Sequence, residues 1–101
     1  MKEYIEKFLN FLVIERGASP NTSAAYRNDL YQFLNYIIDK DHETGVDRWD
    51  EIDEQILNDY LSKLSVLDYS ETTRARKIAS TRSLFKFLID EGVISKDPTE
   101  N

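Results

Sequence analysis

Apolar residues recur at helical spacing in four separate stretches of the chain. In the first, Ile5, Phe8, Leu9 and Leu12 make one stripe, flanked by Tyr4 and Val13, and predict a helix over 3–16 that Gly17 ends. In the second, Ser19 stands at an N-cap and Pro20 at the first helical position, where a missing N–H costs nothing. Tyr26, Leu30, Phe33, Leu34 and Ile37 then form a stripe to residue 39. The opposite face holds Asn21, Ala24, Asn28, Gln32 and Asn35, polar yet uncharged, where an ordinary solvated face would carry Lys and Glu.

The third stretch begins after a polar loop at 40–52 containing Gly45, with Trp49 and Ile52 expected to anchor the loop to the core. Asp53 caps a helix over 54–65 with Ile56, Leu57, Tyr60, Leu61 and Leu64 inward, and Glu54 suits its positive dipole end. Ser70 caps the last and longest helix, 71–91, which Gly92 ends. Its expected buried stripe is Ala75, Ile78, Phe85, Leu88 and Ile89, and Val93 and Ile94 should fold back onto the bundle. "SKDPTEN" reads as a linker. The pattern predicts an all-α bundle whose core includes Tyr26, Leu30, Phe33, Ile37, Ile56, Leu61, Ile78, Phe85 and Leu88.

Composition narrows the class without changing that picture. At 101 residues with 41% hydrophobic content, the chain has enough apolar material for a single core. It has no cysteine, so a disulfide framework and a thiolate zinc site are excluded. No apolar run reaches the ~20 residues that span a bilayer, and "MKEYIEKFLNFL" lacks a signal peptide's continuous apolar stretch. No Gly-rich phosphate loop or catalytic constellation is present, and adjacent Asp41, His42 and Glu43 without a second cluster read as solvated loop residues. We expect no metal, no cofactor and a cytoplasmic setting.

Charge distribution adds a functional hint. The net charge is −6, yet Asp39, Asp41, Glu43, Asp47, Asp50, Glu51, Asp53, Glu54 and Asp59 face only Lys40 and Arg48 within residues 39–59, a balance of −7. The stretch "SETTRARKIASTRSLFKF" carries Arg74, Arg76, Lys77, Arg82 and Lys86 with no acid after Glu71. A dipolar molecule of this kind is oriented by a polyanion. On a helical wheel Thr72, Thr73, Arg76, Lys77, Ser80 and Ser83 share one arc, expected to be exposed, while Arg74, Arg82 and Lys86 fall nearer the core boundary. Short hydroxyls admit close approach to a groove wall, and Arg and Lys neutralise phosphates or reach base edges. The same face also fits a solvated helix whose cations pair with the acidic third helix.

The second helix, "ASPNTSAAYRNDLYQFLNYI", with Thr22, Tyr26, Arg27, Asp29 and Leu30, resembles the N-terminal core-binding domain of tyrosine recombinases, the phage integrases and Xer-type enzymes. The last helix is similar too, through Thr73, Arg76, Ile78, Ala79, Ser80, Arg82, Phe85 and Phe87, and so is the tail "DEGVISKDPTEN". The resemblance implies a four-helix SAM-like domain over 1–95 and the start of a linker at 96–101 leading to a catalytic domain beyond this chain. It also implies a clamp on duplex DNA by the second and fourth helices, in the company of other recombinase protomers, with a monomer expected in isolation. Carried over by position, the DNA-contacting residues are Asn21, Thr22, Arg27, Asn28, Thr73, Arg74, Arg76, Lys77, Ser80 and Arg82. Tyr26 lies on the buried stripe and reads as core, and Arg82 either braces the helix pair or reaches a phosphate. The family's catalytic set belongs to its C-terminal domain, so none of the six tyrosines here is assigned as the nucleophile and the chain is not expected to be an enzyme by itself. The alternative is a helical protein-interaction module that docks a basic partner on its acidic face.

Overall fold

Helix α1 (Lys2–Arg16), α2 (Pro20–Ile38), α3 (Glu54–Val66) and α4 (Glu71–Asp90) make up the computed structural model, which describes residues 1–38 and 46–100. There is no strand among the described residues, so the all-α expectation holds. The helix ends agree with the sequence reading to within one residue, apart from the expected end of α2 at residue 39, which lies outside the described residues. Residues 40–45 of the polar loop, with Asp41, His42 and Glu43, lie outside them too.

Local chemistry explains the boundaries. Gly17 adopts φ 65°, a left-handed conformation that turns the chain out of α1, and the Ala18 N–H donates to the Leu12 carbonyl. Gly92, at φ 73°, ends α4 in the same way, with the Gly92 and Val93 N–H groups donating to the carbonyls of Ile89 and Leu88. At the other ends, Asp53 accepts from the Ile56 N–H at 2.9 Å, and Ser19 and Ser70 accept from the N–H groups of Thr22 and Thr73, each at 3.1 Å. Both α2 and α4 thus begin with Ser-x-x-Thr, the two hydroxyls of each cap 3.0 Å apart. Replacing Ser70 with Ala will cost about 1 kcal/mol, the usual worth of such a cap. Urea denaturation checks this, and an unchanged midpoint would show that α4 does not depend on its cap.

The core lies where the helices meet. Leu30, Phe33, Leu34 and Ile37 of α2 are buried with Ile5, Phe8 and Leu9 of α1, Leu57, Tyr60 and Leu64 of α3, and Leu84, Phe85 and Leu88 of α4. Val46, Trp49 and Ile52 seal it from the α2–α3 connection, where residues Trp49–Glu51 form one 3₁₀ turn, and Ile94 folds back onto it as expected. Tyr26, Ile56 and Leu61 pack against this core half-buried rather than inside it.

The N-terminal half of α4 departs from the expected orientation. Ala75, placed in the buried stripe, is exposed, and Ile78 is only half-buried. Lys77 and Ser80, placed on the exposed arc, are 3% and 0% accessible. The physical reason is a polar partner on α2, to which that half of the helix turns.

Candidate functional site

Asp29 is the only acid in α2, and its side chain is 1% accessible. It sits directly before Leu30, so the helix that buries the core stripe also buries this carboxylate. Two cations from α4 meet it. Arg76 donates from Nε to Oδ2 and from Nη2 to Oδ1, both at 2.9 Å, a bidentate fork. Lys77 donates from Nζ to Oδ1 at 3.0 Å and to Gln32 Oε1 at 2.7 Å. Ser80 Oγ lies 3.4 Å from Oδ2 and donates to the Lys77 carbonyl at 3.1 Å. Gln32 Nε2 donates to the Tyr69 hydroxyl at 2.8 Å, and the Lys77 ammonium stands 4.9 Å from the Tyr69 ring centre. Every member of this cluster is held by another, as a buried polar network must be to avoid stranding a group without water.

Burial by itself pushes the Asp29 carboxyl up, but the hydrogen bonds and charges of Arg76 and Lys77 outweigh it and hold the group below its usual value. The Arg76 guanidinium is held up by its hydrogen bonds to Asp29. One carboxylate against two cations leaves the cluster with a surplus positive charge. Lys77 is sealed inside, whereas Arg76 keeps 37% of its side-chain surface accessible, so Arg76 is the cluster's outward end. Burial also pushes the Tyr60 hydroxyl up, and the nearby Asp29 charge adds to that.

The candidate residues therefore separate by position. Asn21, Thr22, Arg27 and Asn28 are exposed on α2, and Thr22 also serves the helix cap. Asn21, Asn28 and Asn35 recur at seven-residue spacing and are all exposed, so they form one line along α2. Arg27 turns toward α1, where Glu6 accepts from it and, at 2.6 Å, from the Tyr31 hydroxyl. On α4, Thr73 and Arg74 are half-buried at the first turn, Arg74 Nη2 lying 3.4 Å from the Tyr69 carbonyl. Arg82 and Lys86 are exposed rather than at the core boundary and have no ion-pair partner among the described residues. Lys77 and Ser80 face Asp29, not solvent, which corrects their placement on the exposed arc.

Sequence reasoning missed Asp29, Gln32 and Tyr69 as partners of the basic segment. A signal for them existed. Stepping back by seven residues from Leu84 and Leu88 gives Lys77 and Thr81, so the buried side of α4 continues through polar residues. Thr81 makes this possible by donating its hydroxyl to the Lys77 carbonyl at 2.9 Å. A search for apolar residues alone passes over such a stripe.

No group of acids and histidines able to hold a metal ion is present among the described residues, nor does any helix described there have the length and apolarity to cross a membrane.

Comparison with known proteins gives a consistent answer. The family described as phage integrase, N-terminal SAM-like domain, matches residues 5–92. The tyrosine recombinase XerC of Herpetosiphon aurantiacus is 39% identical over 101 residues, which cover 100% of this chain and 32% of that protein. The tyrosine recombinase XerD of Oceanobacillus iheyensis is 42% identical over 100 residues, covering 98% of this chain and 33% of its own length. XerD of Vibrio vulnificus is 40% identical over 96 residues, covering 95% and 30%. The chain thus spans about a third of the length of the curated relatives it matches. No solved structure is a significant match.

Proposed function

Because the chain belongs to the phage integrase N-terminal, SAM-like domain family, we propose that it is the DNA-binding part of a site-specific tyrosine recombinase and clamps duplex DNA with α2 and α4. These 101 residues correspond to the N-terminal domain and do not include a catalytic domain, so chemistry on the DNA belongs to the remainder of such a recombinase. On this reading residues 96–101 begin the connection to that domain, and other protomers on the same DNA are the further partners.

One observation carries the reading: the accessible surfaces of α2 and of α4 from Thr72 to Ile89 present no carboxylate, although the chain as a whole is acidic. The one acid that falls there, Asp29, is buried and over-neutralised. A polyanion can therefore approach these two helices without meeting a carboxylate of their own, Glu6 of α1 being paired with Arg27, whereas α3 and its approach expose Asp47, Asp50, Glu51, Asp53, Glu54 and Asp59. The contacts assigned to the duplex are Asn21, Thr22, Arg27 and Asn28 from α2, and Thr73, Arg74, Arg76, Arg82 and Lys86 from α4. Lys77 and Ser80 support them from beneath.

The test is an NMR titration with duplex DNA at two salt concentrations. Amide shifts are expected along the N-terminal half of α2 and along α4, with affinity falling steeply as salt rises. Shifts confined to residues 46–66, or none at low salt, would overturn the clamp and favour a protein-docking module. Arg82→Ala will weaken binding to all sequences alike and reduce the salt slope by about one unit, as removal of a phosphate-neutralising cation does. An unchanged slope would place Arg82 outside the interface.

A further inference from the structure

The geometry points to Asp29 as a positioning residue for sequence recognition: its carboxylate fixes Arg76 so that the free edge of the guanidinium reads a guanine. This rests on the clamp reading above. The guanidinium of arginine is planar, and its donors form a rigid fork. Asp29 occupies the Nε and Nη2 edge in a two-point contact. One Nη1 hydrogen and the second Nη2 hydrogen are then left on the adjoining edge, directed away from the carboxylate. That edge has the spacing that grips O6 and N7 of guanine in the major groove.

Position and rigidity agree with this role. The carboxylate cannot swing, because Lys77 holds Oδ1 at 3.0 Å and is itself tied to Gln32. The Arg76 side chain keeps 37% of its surface accessible, where that of Asp29 keeps 1%. An unbuttressed surface arginine would lose rotamer freedom on binding a base, and Asp29 removes most of that cost beforehand. A phosphate contact gains less from such fixing, since phosphate offers several equivalent acceptor oxygens and carries no sequence information. The neighbouring exposed residues fit too: Ala75 and Ala79 on α4 are small, which lets the helix approach a groove closely, and Asn28 lies beside Asp29 on α2.

The experiment is selection from a randomised duplex library by the wild-type chain, Arg76→Lys, Asp29→Asn and the double variant, with folding of each checked by its NMR dispersion. The wild type is expected to enrich a guanine at one position. Arg76→Lys keeps the charge but cannot grip two acceptors, and should flatten that position by about ten-fold or more while leaving the rest of the selected pattern recognisable. Asp29→Asn should flatten the same position, and the double variant no further than Arg76→Lys alone, because Asp29 acts through Arg76. A purely structural role for Asp29 would lower the folded fraction without changing which base is preferred. Unchanged preference in folded Asp29→Asn, or in Arg76→Lys should Asp29→Asn not fold, would overturn the inference. So would wild-type binding with no guanine preference. Absence of any duplex binding by the wild type would instead overturn the clamp reading itself.

Discussion

Phe85→Ala will lower the unfolding free energy by about 3–5 kcal/mol, the range for removing a large aromatic from a core that cannot collapse around the gap. Phe85 is 0% accessible and belongs to α4, yet its ring touches two other parts of the fold. It meets Phe33 of α2 edge-on with centroids 5.9 Å apart, and Trp49 of the α2–α3 connection at 6.0 Å. Phe33 in turn packs edge-on against Tyr60 of α3 at 5.0 Å. One truncation therefore removes transfer free energy, leaves a cavity, and strips ring contacts from α2 and the α2–α3 connection at once. A 101-residue domain has a total stability of roughly 5–15 kcal/mol, so this change takes a large part of it. Urea denaturation of wild type and variant measures the difference. A loss below about 1 kcal/mol would mean that the site closes over the gap, and that these rings are not the centre of the core.

How much of this was legible beforehand depends on which force set each feature. The helix ends were legible because they depend on local chemistry: Ser19, Asp53 and Ser70 satisfy N–H groups within their own first turns, and Gly17 and Gly92 supply a conformation other residues avoid. The α2 stripe was legible because Leu30, Phe33 and Ile37 are apolar and buried for that reason alone. The rotation of α4 was not, because it is set by a contact across 47 residues of sequence between Arg76 and Asp29. Periodicity places a lysine on the outside unless its partner is known. The rule fails here at Lys77 because a buried carboxylate and an amide oxygen replace the water it gives up. The contrast with Arg27 is instructive. Its partner Glu6 is on the surface, so the same kind of pairing leaves Arg27 exposed, as its place in the sequence suggests.

Asp29→Ala will cost about 3–5 kcal/mol at neutral pH, the price of stranding a buried charge rather than the net worth of the bonds lost. Without Asp29 the Lys77 ammonium, 3% accessible, keeps only Gln32 Oε1 as a hydrogen-bond partner and has no counter-charge. Arg76 is spared, since it can turn into solvent. Glu6→Ala, which breaks a surface pair with Arg27, will cost no more than about 1 kcal/mol. Removing both buried charges, with Asp29→Leu and Lys77→Met together, should recover most of the loss, because an apolar pair of similar volume carries no desolvation penalty. The pH dependence follows with a definite sign. The folded-state Asp29 carboxyl is held below its unfolded value of about 3.9, so its contribution is fully present above that pH. As pH falls below about 4 the unfolded chain takes up the proton first, and the contribution is lost progressively down through the folded-state value. The wild type should therefore lose stability between pH 5 and 3 more steeply than the charge-free double variant, in which other carboxylates such as Glu6 still titrate. Urea denaturation of both proteins across that range is the measurement. Superimposable acid limbs, or a cost of Asp29→Ala no larger than that of Glu6→Ala, would show that the network beneath Arg76 does not hold α2 and α4 together.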